Sequence, residues 1–181
     1  MKIKIIYKVI YILIPFILAS TCLSAQITAI SRDWKFKTGD NIEWSASDYN
    51  DSKWNDMKAG LWWAHAGYNY SGIAWYRKKI FISSDLKSAV KESGYLKLSL
   101  GQIQDADQTF LNGKLIGHTG SFSPFDGKWG VPRTYYVKSN QINWDSENTI
   151  AVRVYGPNNN GGMHTGPYYY EPYRITLKDY V

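Results

Sequence analysis

The sequence has little of what redox, metal and nucleic-acid sites require, because it contains one cysteine and no block of basic residues. The single cysteine, Cys22, excludes an intrachain disulfide, a thiolate zinc site and a redox pair. The 21 lysines and arginines outnumber the 15 aspartates and glutamates, but they are spread along the chain. Because nucleic-acid-binding domains usually carry a clustered basic surface, we expect no nucleic-acid partner.

Common catalytic motifs are also missing from the sequence. It has no Gly-x-Ser-x-Gly elbow, and the segment TGDN at Thr38 lacks the serine of a Gly-Asp-Ser esterase motif. The three histidines, His65, His118 and His164, show no metal-ligand spacing. We therefore expect no catalytic residue in this chain and look instead for binding residues.

The first segment, residues 1–25, has the layout of a secretory signal peptide. Lysines precede an apolar run at residues 9–19, and small residues end the segment. The run is shorter than the roughly 20 residues of a membrane-spanning helix, and Pro15 interrupts it, so we expect no membrane span. We predict export to the periplasm or the extracellular space, with residues 26–181 as one domain. A lipoprotein acylated at Cys22 is the weaker alternative, because the three residues before it fit that signal poorly.

Short segments that alternate apolar and polar residues predict strands. Ile150, Val152 and Val154 fall on one face of such a segment. Asn112-Gly113, between two apolar runs, is typical of a two-residue hairpin turn. Because no stretch keeps a helical period, the chain is predicted to be all-β with almost no helix, an antiparallel β-sandwich of jelly-roll type. The other segments with strand character are residues 75–83, 95–100, 134–139 and 173–181.

Aromatic residues are frequent, with eight tryptophans and fifteen tyrosines. Many lie in two segments predicted to be long loops, residues 59–74 and 156–172, and residues 120–132 form a third. Long loops at one end of a sandwich often carry binding sites. We expect other rings to fill the core, including at least one of Trp62 and Trp63. The candidate ligand-binding residues are Trp62, Trp63, His65, Tyr68, Tyr70, Trp129, His164, Tyr168 and Tyr169.

Two aspartates, Asp105 and Asp107, are the candidates for acid–base chemistry or for a cation site. Two residues apart on a predicted strand, they would point to the same face, with roughly 6–7 Å between their Cα atoms. That spacing allows either role. No convincing second catalytic group accompanies them, so we predict that they are structural and support loops or a structural Ca²⁺ ion.

Four segments, taken in order, resemble a known family. They are DSKWND, GIAWYRKKIFI, LSLGQIQDADQTFLNGKLIGHTGSFSPF and NTIAVRVYG. Together they resemble the sugar-binding, galactose-binding-like jelly-roll domain of family two glycoside hydrolases. Their details are similar to the versions in bacterial sialate O-acetylesterases and related secreted glycosidases.

This resemblance implies a galactose-binding-domain-like jelly roll and a carbohydrate context, because other domains carry the chemistry in that family. We predict a secreted, non-catalytic carbohydrate-binding module that takes part in polysaccharide breakdown, with a glycan or polysaccharide as its partner. Two alternatives stay open. The chain could be an N-terminal fragment or subunit of a family two hydrolase that works beside a separate catalytic glycosidase chain. It could also be a scaffold module without sugar affinity.

Overall fold

The structure, a computed structural model, describes residues 26–176 and residue 179, so the predicted signal peptide and Cys22 lie outside the described residues. Twelve strands and one α-helix form within this part of the chain. They are β1 Thr28–Ala29, β2 Asp33–Thr38, β3 Asn55–Lys58, β4 Gly72–Ile82, α1 Lys87–Ser93, β5 Tyr95–Gln104, β6 Ala106–Leu111, β7 Lys114–Thr119, β8 Ser121–Phe122, β9 Phe125–Asp126, β10 Pro132–Val137, β11 Ser146–Gly156 and β12 Gly162–Tyr173.

The strands form two antiparallel sheets that pack face to face. One sheet has the strand order β3-β2-β4-β11-β6-β7, and the other has the order β1-β12-β5-β10. Strands β8 and β9 form a small separate ribbon. The chain passes from one sheet to the other six times in the described residues: between β1 and β2, β4 and β5, β5 and β6, β7 and β10, β10 and β11, and β11 and β12. The predicted all-β antiparallel sandwich is confirmed.

Local sequence explains the best-formed elements. The turn between β6 and β7 consists of Asn112 at φ 50° and Gly113 at φ 79°, the positive angles that a two-residue hairpin turn demands. Strand β11 pairs with β4 along its whole length and with β6 over part of it. Its residues Ile150, Val152 and Val154 are fully buried, as their alternation predicts.

The core lies between the inner faces of the two sheets. The β11 residues share one buried cluster with Leu96, Leu98 and Leu100 of β5. Large rings complete the same cluster, including Trp34, Phe36 and Tyr76. Aromatic rings therefore fill a large part of the core, as expected for a sandwich with many large side chains.

A second buried cluster lies on the outer face of the six-stranded sheet. It contains Trp44, Trp54, Trp75, Phe110 and Ala151. Strand β4 contributes Trp75, β6 contributes Phe110, and the segment of residues 39–54 lays the other two tryptophans over them. We call this segment the cover.

The cover is fastened to the sheet by Arg77 of β4. Its guanidinium donates to the carbonyl oxygens of Trp44, of Ala46 at 2.9 Å and of Tyr49 at 3.2 Å. It also forms an ion pair with Asp51 at 2.8 Å. The Arg77 side chain is wholly buried, so its charge depends on these partners.

Three features differ from the sequence predictions. The helix α1 escaped prediction because seven residues are too few to show a helical period. The segment of residues 156–172, predicted as a loop, is mostly strand β12. The predicted strand at residues 173–181 is not formed over Arg174–Thr176. No helix in the described residues is long and apolar enough to cross a membrane.

Candidate functional site

The loop that precedes β4 is anchored by Trp63. This ring is fully buried, and its indole N–H donates to the Tyr76 hydroxyl at 2.8 Å. The backbone N–H of Trp63 donates to the Gly161 carbonyl at 2.8 Å, which ties the loop to the start of β12. A Cβ atom at Gly161 would lie 2.0 Å from the Trp63 ring, so this position requires glycine.

Two of the candidate ligand-binding residues, Trp63 and Tyr168, belong to the core. The Trp63 ring is fully buried, which agrees with the expectation that at least one ring of the Trp62-Trp63 pair fills the core. Tyr168 points inward from β12, is only 7% exposed and donates from its hydroxyl to the Met163 carbonyl at 3.0 Å. A ligand cannot stack on either ring without opening the sandwich.

Three further candidates do not converge on a common site. Tyr68 packs edge-on against the buried Phe36, with ring centroids 4.8 Å apart. Tyr70 donates from its hydroxyl to the Ile73 carbonyl at 3.0 Å. Tyr169 lies on the outer face of the four-stranded sheet, where the Lys97 ammonium is 5.5 Å from its ring centroid. The first two support the loop, and the third belongs to a different surface.

The remaining candidates come together in one cleft at an end of the sandwich. We call it the tryptophan cleft; its lining is Trp62, Ala64, His65, Gln104, Trp129 and Asn160. The indole of Trp129 is 64% exposed, the highest value among the exposed large apolar side chains. His164 does not line the cleft but stacks on Trp62 with centroids 4.1 Å apart and planes 6° apart. Sequence reasoning missed Gln104 and Asn160, whose polarity is unremarkable in a strand end and a loop.

The loop that carries Trp129 is held by hydrogen bonds to its backbone. Lys128 donates from its N–H to the Asp105 carbonyl at 2.7 Å. Gln102 donates from its side-chain amide to the Gly130 carbonyl at 2.8 Å. Arg133, at the start of β10, donates to the carbonyl of Lys128 at 2.8 Å and to that of Asp105 at 3.0 Å. These bonds fix the loop on which the exposed indole stands.

Asp107 explains how Arg133 can be buried. The two side chains form an ion pair at 2.8 Å between β6 and β10, and both are wholly buried. The second carboxylate oxygen accepts from the Tyr135 hydroxyl at 2.6 Å and from the Thr109 hydroxyl at 3.0 Å. Burial raises the pKa of Asp107, while these donors act in the opposite direction. Asp107 is therefore a structural residue that supports the Trp129 loop through Arg133.

The cation reading of the aspartate pair does not fit these contacts. Asp105 does not lie within a strand, because the chain passes from β5 to β6 at this residue. The oxygens of Asp107 face a guanidinium and two hydroxyls instead of a metal ion. Among the described residues, no group of three or more acidic, histidine or cysteine side chains could hold a metal. The described contacts therefore give no support to a shared Ca²⁺ site at Asp105 and Asp107, and such a site stays a prediction.

Two polar atoms, one on the lining residue Gln104 and one on the His164 ring stacked on Trp62, are buried without a hydrogen-bond partner in the described part of the chain. They are Oε1 of Gln104 and Nε2 of His164. Buried polar groups are rarely left unpaired, so water or a ligand hydroxyl is expected to reach them. Burial and the nearby Arg133 lower the pKa of His164, while Asp105 raises it. With its pKa below the usual range, the imidazole is neutral at pH 7 and can donate from one nitrogen and accept at the other.

Comparison with known proteins places this architecture in a family. Residues 38–160 match the family described as the β-galactosidase second all-beta domain. The chain belongs to this family. The match includes β4 to β11 and the Trp129 loop, and it stops just before β12. The similarity to domains of sialate O-acetylesterases stays a prediction.

Solved structures with the same fold include several β-glucuronidases. A calcium-binding mutant of Bacteroides uniformis β-glucuronidase 2 superposes with a TM-score of 0.67 at 20% identity, covering 82% of this chain and 18% of that one. A β-glucuronidase from glycoside hydrolase family 2 gives a TM-score of 0.66 at 16% identity, with coverages of 81% and 18%. The Ruminococcus gnavus β-glucuronidase gives 0.63 at 14% identity, with coverages of 82% and 29%.

These likenesses show a shared fold and no more. The present chain corresponds to a small part of each of those enzymes, from 18% to 29% of their length. No curated protein matches the sequence.

Proposed function

We propose that this β-galactosidase-type domain is a non-catalytic carbohydrate-binding module that binds a glycan in the tryptophan cleft. The observation that carries the proposal is the exposed indole of Trp129 in a cleft that it shares with Trp62. Sugar rings have apolar C–H faces that stack on aromatic rings, whereas their hydroxyls need polar partners. Pockets that combine aromatic faces with a few placed polar groups suit such ligands.

The polar side of the cleft supports the same conclusion. Gln104, His65 and Asn160 line it with amide and imidazole groups that can both donate and accept hydrogen bonds. One unpaired buried atom belongs to the lining residue Gln104, and the other belongs to His164, whose ring stacks on Trp62. None of the lining side chains is acidic or permanently cationic, so the cleft suits hydroxyl groups better than a highly charged ligand.

The test is a binding screen of the purified protein against plant and host polysaccharides, followed by calorimetry with oligosaccharides of the best ligand. Trp129→Ala should weaken binding by about tenfold or more, because one stacking ring is lost. Phe125→Ala is the matched control, since Phe125 is 51% exposed on the same loop but does not line the cleft. A ligand bound equally well by the wild type and by Trp129→Ala would place the site elsewhere.

A second candidate function is that of an accessory domain that works beside the catalytic part of a family two hydrolase, without sugar affinity of its own. The family membership and the small share of the related enzymes that this chain represents favour it. The test adds the purified protein to a catalytic chain encoded nearby and measures kcat and KM on an aryl glycoside. A change in either value, together with no binding in the polysaccharide screen, would favour this role.

Export is part of both proposals, through the signal peptide at residues 1–25. Cleavage after Ala25 would leave Gln26 as the first residue of the mature protein. Mass spectrometry of the exported protein checks this, and an intact amino-terminal segment or a lipid on Cys22 would contradict it.

A further inference from the structure

The outer face of the four-stranded sheet carries a set of tyrosines that the tryptophan cleft does not use. Strand pairing places Lys97 of β5 between Tyr136 of β10 and Glu171 of β12. The same pairing sets Tyr95 opposite Tyr173. We call this surface the tyrosine face; its residues are Tyr95, Lys97, Tyr136, Tyr169, Glu171 and Tyr173.

The rings of this face are held around an ion pair. Lys97 and Glu171 are 2.8 Å apart, with side chains only 17% and 10% exposed. The Lys97 ammonium lies 4.4 Å from the Tyr173 ring centroid and 5.5 Å from that of Tyr169. Such cation–π contacts fix ring positions. The rings of Tyr136 and Tyr173 are 5.7 Å apart with their planes inclined by 30°.

None of the four tyrosines belongs to either buried cluster, and each keeps part of its surface exposed in the described structure. Their neighbours along β12, Tyr168 and Tyr170, point inward and are buried. Residue Asp179 accepts hydrogen bonds from the hydroxyls of Tyr173 at 2.8 Å and Tyr136 at 3.3 Å. These bonds orient the rings of Tyr136 and Tyr173, whereas Tyr95 and Tyr169 form no hydrogen bond with Asp179.

The charge of the face indicates what it binds. Burial lowers the pKa of Lys97, but Glu171 and Tyr169 outweigh that effect and raise the pKa above its ordinary value. Lys97 therefore stays charged at neutral pH, and its ion pair with Glu171 lies within the face. The Asp179 carboxylate adds a negative charge beside the rings, where it accepts from the Tyr136 and Tyr173 hydroxyls. The face therefore offers a ligand aromatic rings and hydroxyls, and it gives an anion no electrostatic gain.

The outer face of the six-stranded sheet is covered by protein, namely by the cover of residues 39–54. There the contact consists of interlocked tryptophans and a wholly buried arginine, with no tyrosine among the buried residues of the cluster. The tyrosine face is formed mainly by tyrosines, with the small Ala29 opposite Tyr169, and its polar hydroxyls need hydrogen-bond partners in any complex that buries them. A polyhydroxylated ligand supplies both partners for hydroxyls and C–H faces for the rings.

We propose that the tyrosine face is a second binding surface, which takes a neutral oligosaccharide chain. Residues two apart along a strand lie about 6.6 Å from each other, so the three rows from Tyr95 to Ser99 span about 13 Å. That length accommodates roughly two or three sugar rings in a row. This inference concerns a surface separate from the tryptophan cleft and does not depend on binding there.

The test is nuclear magnetic resonance of the ¹⁵N-labelled protein titrated with cellopentaose, xylopentaose, β-1,4-galactotetraose and, as an anionic comparison, a chondroitin tetrasaccharide. A neutral oligosaccharide is expected to shift the amide signals of residues 95–99, 134–136, 169–171 and 173. Tyr169→Ala should weaken this binding by about tenfold, because it removes one ring and leaves the ion pair intact. Phe81→Ala, an exposed ring at 60% on the other sheet, is the control and should leave the affinity unchanged.

The two proposals give separate signals in this experiment. Shifts confined to residues 62–65, 104 and 129 would support the tryptophan cleft and overturn the tyrosine face. Shifts on the tyrosine face that persist in Trp129→Ala would support the second surface whatever happens at the cleft. The absence of shifts on the tyrosine face with every neutral oligosaccharide, or equal affinity of Tyr169→Ala, would overturn this inference. Preferential binding of the chondroitin fragment there would overturn the charge argument and the proposal with it.

Discussion

The two sheets of this sandwich both carry aromatic residues on their outer faces, but the described chain covers only one of these faces. On the six-stranded sheet, Trp75 and Phe110 lie beneath the cover, the segment of residues 39–54. On the four-stranded sheet, the tyrosines surround an ion pair and keep part of their surface exposed. The number of aromatic residues therefore does not distinguish a packed face from a binding face.

The packed face and the proposed binding face differ in the type of aromatic residue and in the partners of the nearby charged side chain. The cover buries tryptophans and uses Arg77 to bond its carbonyl oxygens. The tyrosine face pairs Lys97 with Glu171 inside the face itself. The Arg77 charge holds the cover on the six-stranded sheet. The Lys97 charge is balanced by Glu171 within the tyrosine face, so that face stays accessible to a ligand.

The sharpest test of this contrast truncates one ring on each face. Trp54→Ala should lower the free energy of unfolding by about 3–5 kcal/mol, because Trp54 is buried and the cover cannot close over the cavity. Tyr169→Ala should lower it by about 1 kcal/mol or less, because its ring is partly exposed. Urea unfolding followed by circular dichroism measures both. Similar losses from the two substitutions would mean that the tyrosine face is as much a packing surface as the covered one.

A smaller loss is expected when the cover is released without a cavity in the tryptophan cluster. Arg77→Met should cost about 2–3 kcal/mol, because the carbonyl oxygens of Trp44, Ala46 and Tyr49 lose a charged donor. Limited proteolysis should then cut within residues 41–53. Lys79→Met is the matched control on the same strand, since its ion pair with Glu147 is exposed and should be worth less than about 1 kcal/mol. A cover that stays resistant to protease in Arg77→Met would contradict the anchoring role.

The smallest effect concerns the start of the cover and depends on pH. Asp40 forms an ion pair with Arg153 and accepts from the Trp75 indole at 3.2 Å. The Arg153 hydrogen bond holds the pKa of Asp40 below its usual range, against the opposing effect of burial. A depressed pKa stabilises the fold above the unfolded value of about 3.9, and the contribution is lost as the pH falls through the folded value.

Asp40→Asn should therefore reduce stability at pH 7 and have no effect at a pH below the folded pKa. Because the Asp40 side chain is 37% exposed, screening keeps the difference at pH 7 below about 1 kcal/mol. Urea unfolding at pH 7, 5 and 3, with and without added salt, measures it. A difference between wild type and variant that grows on acidification would have the wrong sign for this mechanism.

Much of the fold could be predicted from the sequence where the side-chain period was regular. The alternation of apolar and polar residues predicted β11, and Asn112-Gly113 predicted the turn between β6 and β7, because few other backbone conformations suit these patterns. Strand β12 was missed because its pairing register shifts between Met163 and Thr165 and again between Thr165 and Tyr168. Such irregularities interrupt the two-residue period on which strand prediction depends.

The site was harder to predict, because neighbouring residues have opposite fates. Trp62 lines the cleft while Trp63 fills the core. A strand reading of residues 168–170 would have put Tyr168 and Tyr170 on one face and Tyr169 on the other, as the structure does. Gln104 and Asn160 could not be found from the sequence, since only the fold brings β5 and the loop before β12 together.

The exposure of Trp129 gives the protein a built-in optical probe. Among the exposed large apolar side chains of residues 26–176, Trp129 is the one indole, whereas Trp34, Trp44, Trp54, Trp63 and Trp75 are all buried. Its fluorescence should be red-shifted relative to theirs and selectively quenched by acrylamide. A ligand that stacks on this ring would shield it and shift the emission to shorter wavelength. Occupancy of the cleft can thus be followed in solution without a label, and a ligand held only on the tyrosine face would leave this signal unchanged.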